Sequence, residues 1–359
     1  VIPYGHQAID DDDIARVVEV LKGDWLTQGP HVGELEETLL EVTGAGYAVA
    51  FSSGTAALHA AAAAAGFGPG DAVATSPLSF AASATCALYV GAHPLFVDID
   101  PTTLNLDPRA IPSECDGLIA VHYAGLPFDL TQLGRRPRVV IEDAAHAIGA
   151  STPDGPVGNC ARSDMCTFSF HPVKTVTTGE GGAVTTNSAE LARRLRCFGN
   201  HGIVRKPEHG GWYYEIESLG FNYRLTDIQA ALGTSQLAKL DRFVARRQAL
   251  AARYRSLLAG LPLDLPPAAM PGWTHAYHLF PIRVDDRRQV YEALRGKGVG
   301  VQVHYLPIYR HPLYARLGID AGGFPQTELA YERLLSIPLY PGLTDADQDL
   351  VIDALTAVL

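Results

Sequence analysis

Short apolar runs recur along the first half of this chain, each closed by a turn and followed by a helical pattern. The runs lie at 47–51, 72–75, 94–97, 117–121, 139–142, 165–170 and 182–186. Runs this short, bounded by turn residues and spaced by helices, read as strands covered on both faces. Repeated in this way they predict an α/β fold: a mostly parallel sheet sandwiched by helices. Ligands of such sheets sit beyond the carboxyl ends of the strands. Helices are expected at 10–22, 32–42, 56–65, 80–90 and 187–196, then from Thr226 to about 258 with a bend at Gly233 or later. Asp10, Asp11, Asp12 and Asp13 suit the positive end of the first helix, which accounts for that acidic run without a metal. Residues 200–223 read as a long loop, and 262–271, rich in proline, as a linker. Strand signals at 276–283 and 299–305 and helices at 286–296 and 344–357 predict a smaller C-terminal α+β domain. The expected division is 1–30, an arm and first helix on the substrate side; 31–235, a large cofactor-binding domain; 236–262, a linking helix; and 263–359, the small domain.

Charge and cysteine usage narrow the functional classes. The net charge of −11 over 359 residues leaves no basic face, which argues against a nucleic-acid partner. The apolar runs stop well before bilayer length, so no membrane association is expected. Val1 leads straight into Ile2-Pro3-Tyr4 without a charged, signal-like segment, which reads as the start of a mature domain. Cys86, Cys115, Cys160, Cys166 and Cys197 are odd in number and form no C-x-x-C pair. They read as reduced thiols of a cytoplasmic protein, with neither a disulfide frame nor a metal site.

One lysine stands apart. Between Lys22 and Lys239 the chain has only Lys174 and Lys206. Lys174 follows the strand at 165–170 in Ser169-Phe170-His171-Pro172-Val173-Lys174, ahead of a Gly-rich exit. Taken out of water, its ammonium would lose stability, its pKa would fall, and the free amine would attack aldehydes. Four further features fit an aldehyde cofactor with an aromatic ring and a phosphate. Asp143, at the end of an apolar strand, offers an anion for a protonated ring nitrogen, although capping a following helix is the plainer role for such an Asp. Ser53, Gly54 and Thr55 link a strand to a helix N-terminus, a phosphate cradle that Ser169 would extend. Phe80 offers a flat face, and core packing is the ordinary alternative. His146, three residues after Asp143, is placed to reach the cofactor's phenolic oxygen or to be a structural histidine. Together they point to pyridoxal 5′-phosphate, condensed with Lys174.

The chain resembles the DegT/DnrJ/EryC1/StrS sugar aminotransferases over almost its whole length. The resemblance rests on Trp25-Leu26-Thr27-Gln28-Gly29-Pro30, Ser53-Gly54-Thr55-Ala56-Ala57-Leu58, Glu142-Asp143-Ala144-Ala145-His146, the Lys174 motif and Gly220-Phe221-Asn222-Tyr223-Arg224-Leu225. It implies fold type I of the pyridoxal-phosphate enzymes, with Lys174 and Asp143 catalytic and Gly54, Thr55 and Ser169 on the phosphate. It also implies a homodimer with shared active sites, in which Asn222 reaches the neighbouring subunit's phosphate and Arg224 lies beside it. Many relatives carry Gln where this chain has His146, and dehydratase relatives carry His in place of the lysine, so Lys174 argues for amino transfer.

The opening Ile2-Pro3-Tyr4-Gly5-His6-Gln7, with Thr27 in its loop and Val303-His304-Tyr305, looks most like the subgroup that makes UDP-4-amino-4,6-dideoxy-N-acetyl-β-L-altrosamine for pseudaminic acid. That resemblance implies transfer of an amino group from L-glutamate to C4 of a 4-keto-6-deoxy sugar nucleotide, of the UDP-2-acetamido-2,6-dideoxy-4-hexulose type. It puts Tyr4, His6, Thr27, Arg224, His304 and Tyr305 on the substrate side. The alternative within the family is transfer to C3 of a dTDP- or UDP-linked keto sugar. A desulfurase or racemase of the same fold type, or a scaffold that binds nucleotides without chemistry, fits the residues less well. No G-x-G-x-x-G follows the first strand, which disfavours a dinucleotide-binding dehydrogenase.

Overall fold

The structure, a computed structural model, describes residues 1–318 and 323–359. Helices α1 (Asp11–Lys22) and α2 (His31–Thr43) precede β1 (Tyr47–Phe51). There follow α3 (Gly54–Ala64), β2 (Ala72–Thr75), α4 (Ala82–Tyr89), β3 (His93–Phe96), β4 (Gly117–Val121) and β5 (Val139–Asp143). A small hairpin, β6 (Ser151–Thr152) and β7 (Gly155–Pro156), leads to β8 (Met165–Ser169), β9 (Gly182–Thr186) and α5 (Ala189–Gly199). A second hairpin, β10 (Ile203–Arg205) and β11 (Tyr214–Ile216), precedes α6 (Asp227–Leu237) and α7 (Leu240–Leu257). The C-terminal part holds β12 (Leu263–Asp264), β13 (Phe280–Val284), α8 (Arg287–Gly296), α9 (Pro312–Arg316), α10 (Pro325–Arg333), β14 (Leu334–Ile337) and α11 (Asp345–Thr356).

The main sheet runs β1-β9-β8-β5-β4-β2-β3. Only β9 is antiparallel to its neighbours, so the expected mostly parallel sheet is present. Alternate residues of its strands enter two different cores. Val49, Phe51, Ile119, Ile141, Met165 and Val184 face α3, α4 and α5. Ala48, Ala50, Cys166, Phe168 and Ala183 face α2, α6 and α7. Helix α3 is buried nearly all round, and its alanines let it lie close against the sheet. α1 begins as its acids imply, with Asp10 and Asp13 closing a capping box.

The C-terminal sheet, β12-β13-β14, is antiparallel. Its core also takes residues from α7, α8 and α11. Helix α7 serves both layers: Leu240, Phe243 and Val244 join the large core, and Leu250, Ala251 and Tyr254 the small one. The N-terminal arm crosses between them. Ile2 pairs with Val299, and the Leu339 N–H donates to the Tyr4 carbonyl at 3.1 Å.

Four expectations need correction. Residues 200–223 are not a structureless loop, since β10 and β11 pair across them. The bend expected at Gly233 or later is a full break, which falls after Gly233: the helix stops at Leu237 and restarts at Leu240. Between the two, Lys239 leaves helical geometry and pairs with Asp10 and Asp13. No strand forms at 299–305, where Val299 and Gln302 make only isolated bridges; the third strand is β14 instead. The linker at 262–271 contributes β12. The five cysteines are free, as expected of reduced thiols. Among the described residues no helix is long and apolar enough to cross a membrane, and no cluster of three metal-ligating side chains occurs.

Candidate active site

The carboxyl ends of β1, β5 and β8 open on one cavity of about 360 Å³. That volume lies within the usual range of small-molecule sites. Ser53, Gly54, Thr55, Phe80, Asp143, His146, Ser169, Lys174, Tyr4, His304 and Tyr305 all line it. Eleven residues singled out in the sequence, drawn from six separate stretches, thus meet around one space.

Lys174 sits on a turn that folds back on the end of β8. Its N–H donates to the His171 carbonyl at 2.8 Å, and the Phe170 carbonyl accepts from Thr178 N at 2.9 Å and Thr177 Oγ1 at 3.0 Å. Loss of water around its amine pulls the pKa down to about 8, and the nearby Asp143 carboxylate opposes that fall. Among the described residues Lys174 has no ion-pair partner within 4.0 Å. Near neutral pH an appreciable fraction of the amine is therefore free base.

Asp143 is the last residue of β5 and is buried. It caps no helix, because residues 145–149 form turns, and His146 therefore sits in a turn and not in a helix after Asp143. Ser83 Oγ donates to Asp143 Oδ2 at 2.6 Å and Ala145 N to Oδ1 at 3.2 Å, while Ser79 and Ser83 hydroxyls lie 2.7 Å apart. The carboxylate is thereby fixed in direction with capacity to accept another donor. Ser83 was not foreseen, since nothing marks one serine within an alanine-rich helix.

The cradle forms as the motif implies. Ser53 caps α3, its Oγ accepting from Ala56 N at 3.1 Å. The Gly54 and Thr55 N–H groups, at the first helical positions, have no intrahelical acceptor and border the cavity. A Cβ on Gly54 would lie 2.7 Å from the Ser169 Cβ, so only glycine lets the helix end and β8 meet.

The remaining walls are aromatic. Phe80 stands at the lip, 60% exposed, its ring 6.2 Å from that of Tyr305. The Tyr305 hydroxyl bonds His146 Nε2 at 3.1 Å. Burial, followed by the Lys174 charge, holds His146 well below the ordinary histidine range and His304 at about 3, so both are neutral. His278, which the sequence reading did not single out, also lines the cavity and lies 4.3 Å from His146, ring to ring.

Four candidates lie outside this cavity. His6 is exposed and bonds the Gln7 carbonyl at 2.7 Å. Thr27 pairs with Thr226 in a loop tied to the Asp227 carboxylate through Gly29 N and His31 N. Arg224 lies in a separate groove beside Gln28 and donates to Asn200 Oδ1 at 2.8 Å, and Asn222 bridges Asn200.

A nucleophilic amine, a buried fixed carboxylate and an anion-binding helix end thus surround one pocket. Residues 7–356 match the DegT/DnrJ/EryC1/StrS aminotransferase family. The chain belongs to this family. It is an aminotransferase of the EC 2.6.1 type, and the family's aminotransferases depend on pyridoxal 5′-phosphate. The chain is 36% identical to the spore coat polysaccharide biosynthesis protein SpsC of Bacillus subtilis, over 100% of its own length and 97% of that protein's. Its fold superposes on the PMP-form of Spr1654, a sugar aminotransferase assignment from Streptococcus pneumoniae, with a TM-score of 0.94 at 28% identity, covering 100% and 99% of the two chains. Helicobacter pylori PseC, an aminotransferase involved in the biosynthesis of pseudoaminic acid, gives 0.90 at 29% identity over 99% and 98%. The observed sheet and its flanking helices fit the fold type I architecture of these neighbours.

Fit to the family's cofactor is visible in this chain's own atoms. Among the described residues the Gly54 and Thr55 N–H groups have no intrahelical acceptor, and the buried His146 Nδ1 has no partner. Such atoms require a polar group that the protein itself does not supply.

Proposed function

We propose that this aminotransferase moves an amino group from L-glutamate to C4 of a 4-keto-6-deoxy sugar nucleotide, of the UDP-2-acetamido-2,6-dideoxy-4-hexulose type. The observation that carries the mechanism is the placement of Lys174 and Asp143 on one cavity that ends at the α3 N-terminus. Likeness to PseC supports the choice of C4 and of a pseudaminic-acid type of substrate. Transfer to C3 is the alternative, and the regiochemistry of the amino-sugar product separates the two.

Bound in this cavity, pyridoxal 5′-phosphate supplies an aldehyde that exchanges amines and a ring that draws electrons from the carbon losing its proton. The chain's own groups do the rest. Lys174 would hold the cofactor at rest, and its amine, once released, would carry the proton between the amine-bearing carbon of the substrate and the cofactor's aldehyde-derived carbon. A pKa of about 8 suits both directions near neutrality. Asp143 keeps the ring nitrogen protonated, and Ser83 stops the carboxylate from turning away. Gly54, Thr55 and Ser169, with Ser53 shaping the helix end, bind the phosphate. Phe80 covers the ring, and Tyr4, His304 and Tyr305 receive the sugar.

Among the described residues no arginine lines this cavity, although a diphosphate calls for cationic donors. We assign that role to a second copy in a homodimer, which brings Asn222 and Arg224, with Thr27 and His6 toward the substrate side. The reading includes the four-part domain division given above and a cytoplasmic location. A visible absorption band that disappears in dialysed Lys174→Ala tests the cofactor assignment. Incubation with glutamate and UDP- or dTDP-linked 4-keto sugars tests the substrate. A colourless wild-type protein sinks the first, and a 3-amino product the second.

A further inference from the structure

Behind the cavity wall three chain segments converge on one glycine. Gly125, in the loop after β4, has φ +98°. A Cβ there would lie 2.8 Å from the His146 carbonyl, 3.0 Å from Tyr277 N and 3.1 Å from His278 N. No side chain fits, so the two histidine-bearing segments approach as closely as backbone allows. The Ala276 N–H donates to the Gly125 carbonyl at 3.0 Å and the Leu279 N–H to the Ala124 carbonyl at 3.3 Å.

A second clamp acts from the opposite side. Arg247, on α7 and fully buried, donates from Nη1 to the carbonyls of Tyr277 and His278, each at 3.2 Å, and of Leu339 at 2.9 Å. His278 is thus held by its backbone from both directions. His146 is held less firmly. It lies in a turn, and its ring has one hydrogen bond, to Tyr305 at 3.1 Å, plus the His278 ring at 4.3 Å, tilted by 45°.

The pair is costly as a core filler. Both Nδ1 atoms are buried without a partner among the described residues, a loss that an apolar side chain would avoid. Both rings are kept neutral, chiefly by burial and then by surrounding charge, which for His278 comes from Lys174 and Arg247 and for His146 from Lys174. Two uncharged rings can pack against each other without charge repulsion.

We propose that His278 is a positioning residue for the reaction: clamped by Gly125 and Arg247, its flat ring holds His146, and through it the Tyr305 hydroxyl, in the wall of the cofactor cavity. It rests on the cofactor assignment made above. His278 acts by shape, so a flat apolar ring should replace it and a branched or flexible side chain should not.

The test uses full-length protein carrying His278→Leu, His278→Phe, His146→Leu or the double change His146→Leu/His278→Leu. Cofactor retention, the visible band, the melting temperature, and kcat and KM are measured for each. His278→Leu should weaken cofactor retention about tenfold, as loss of an orienting partner does at other sites, and shift the band. It should lower kcat more than KM. His278→Phe should stay within about threefold of wild type, and the double variant should be no worse than His146→Leu alone. Should His278→Leu fail to fold, His278→Gln takes its place with the same expectation. The proposal is overturned if His278→Leu lowers only the melting temperature and leaves band and retention unmoved. It is equally overturned if His278→Phe is as damaging as His278→Leu, or if the two leucine effects add. A wild-type protein without a Lys174-dependent band overturns the cofactor assignment itself, and this inference with it; a normal wild-type band with an indifferent His278→Leu overturns this inference alone.

Discussion

Two cations in this protein are stripped of water, and they are held in opposite ways. Lys174 sits on a turn at the cavity, near Asp143 but with no ion-pair partner within 4.0 Å among the described residues. Arg247 lies inside α7 with three carbonyls fixed on its Nη1 and no exposed surface. Burial lowers both, Lys174 to about 8 and Arg247 to about 10. At neutral pH the first can give up its proton and the second keeps it. Burial alone therefore does not mark a reactive group: it lowers both, and the guanidinium keeps its proton because it starts from a higher value than the amine.

The contrast can be broken most sharply at the amine. Lys174→Ala should reduce turnover by about 10³-fold or more, since it removes the only proton carrier assigned to the reacting carbon. Steady-state assay of amino-sugar formation measures this. Asp143→Asn comes next, with a loss of about 10²-fold from removing a single preorganised charge, while the protein stays folded by circular dichroism. An activity within threefold of wild type would show that the acid does not face the cofactor. Arg247→Met should act on stability instead. It leaves three buried carbonyls without a donor, about 2 kcal/mol in a urea titration, offset in part by removing a buried charge.

The smallest effect is a pH shift. The rate at which the apoprotein recaptures pyridoxal 5′-phosphate should rise with pH to a plateau above about 8, because only the neutral amine of Lys174 reacts. Stopped-flow absorbance gives the midpoint. In Asp143→Asn the midpoint should move lower, since the carboxylate favours the charged amine. A midpoint near that of a free lysine would place the amine in water. Stability should vary with pH in the same sense but in a lower range. His275 and His304, each held at about 3 by burial, are neutral in the fold, whereas the unfolded chain takes up protons below about 6.5. The unfolded state thus binds more protons between those values, and the melting temperature should fall as pH drops below 6.5.

Legibility in the sequence follows the same division. Lys174, Asp143 and the Ser53–Gly54–Thr55 turn could be read because strand ends and glycine spacing announce where such sheets bind ligands. The sheet itself was readable from its apolar runs. Arg247 was not, since α7 also carries Arg242, Arg246, Arg253 and Arg255, and nothing local distinguishes the one that points inward. Ser83 and His278 were hidden for a related reason: their partners, Asp143 and His146, are distant in sequence. The β10–β11 hairpin escaped because each of its strands is only three residues long and those of β11 are all exposed, too short a run to announce a strand. The strand expected at 299–305 failed because backbone pairing there is limited to single bridges, while four buried residues of β14 took the place beside β13.

Helix α7 has one more consequence. Eighteen residues of unbroken helix form a stiff beam about 27 Å long, and its two ends are embedded in different cores. The layer that carries Asp143 and the Lys174 turn and the segment that carries His304 and Tyr305 are therefore mounted on one axle. A swing of one core against the other would have to bend this helix.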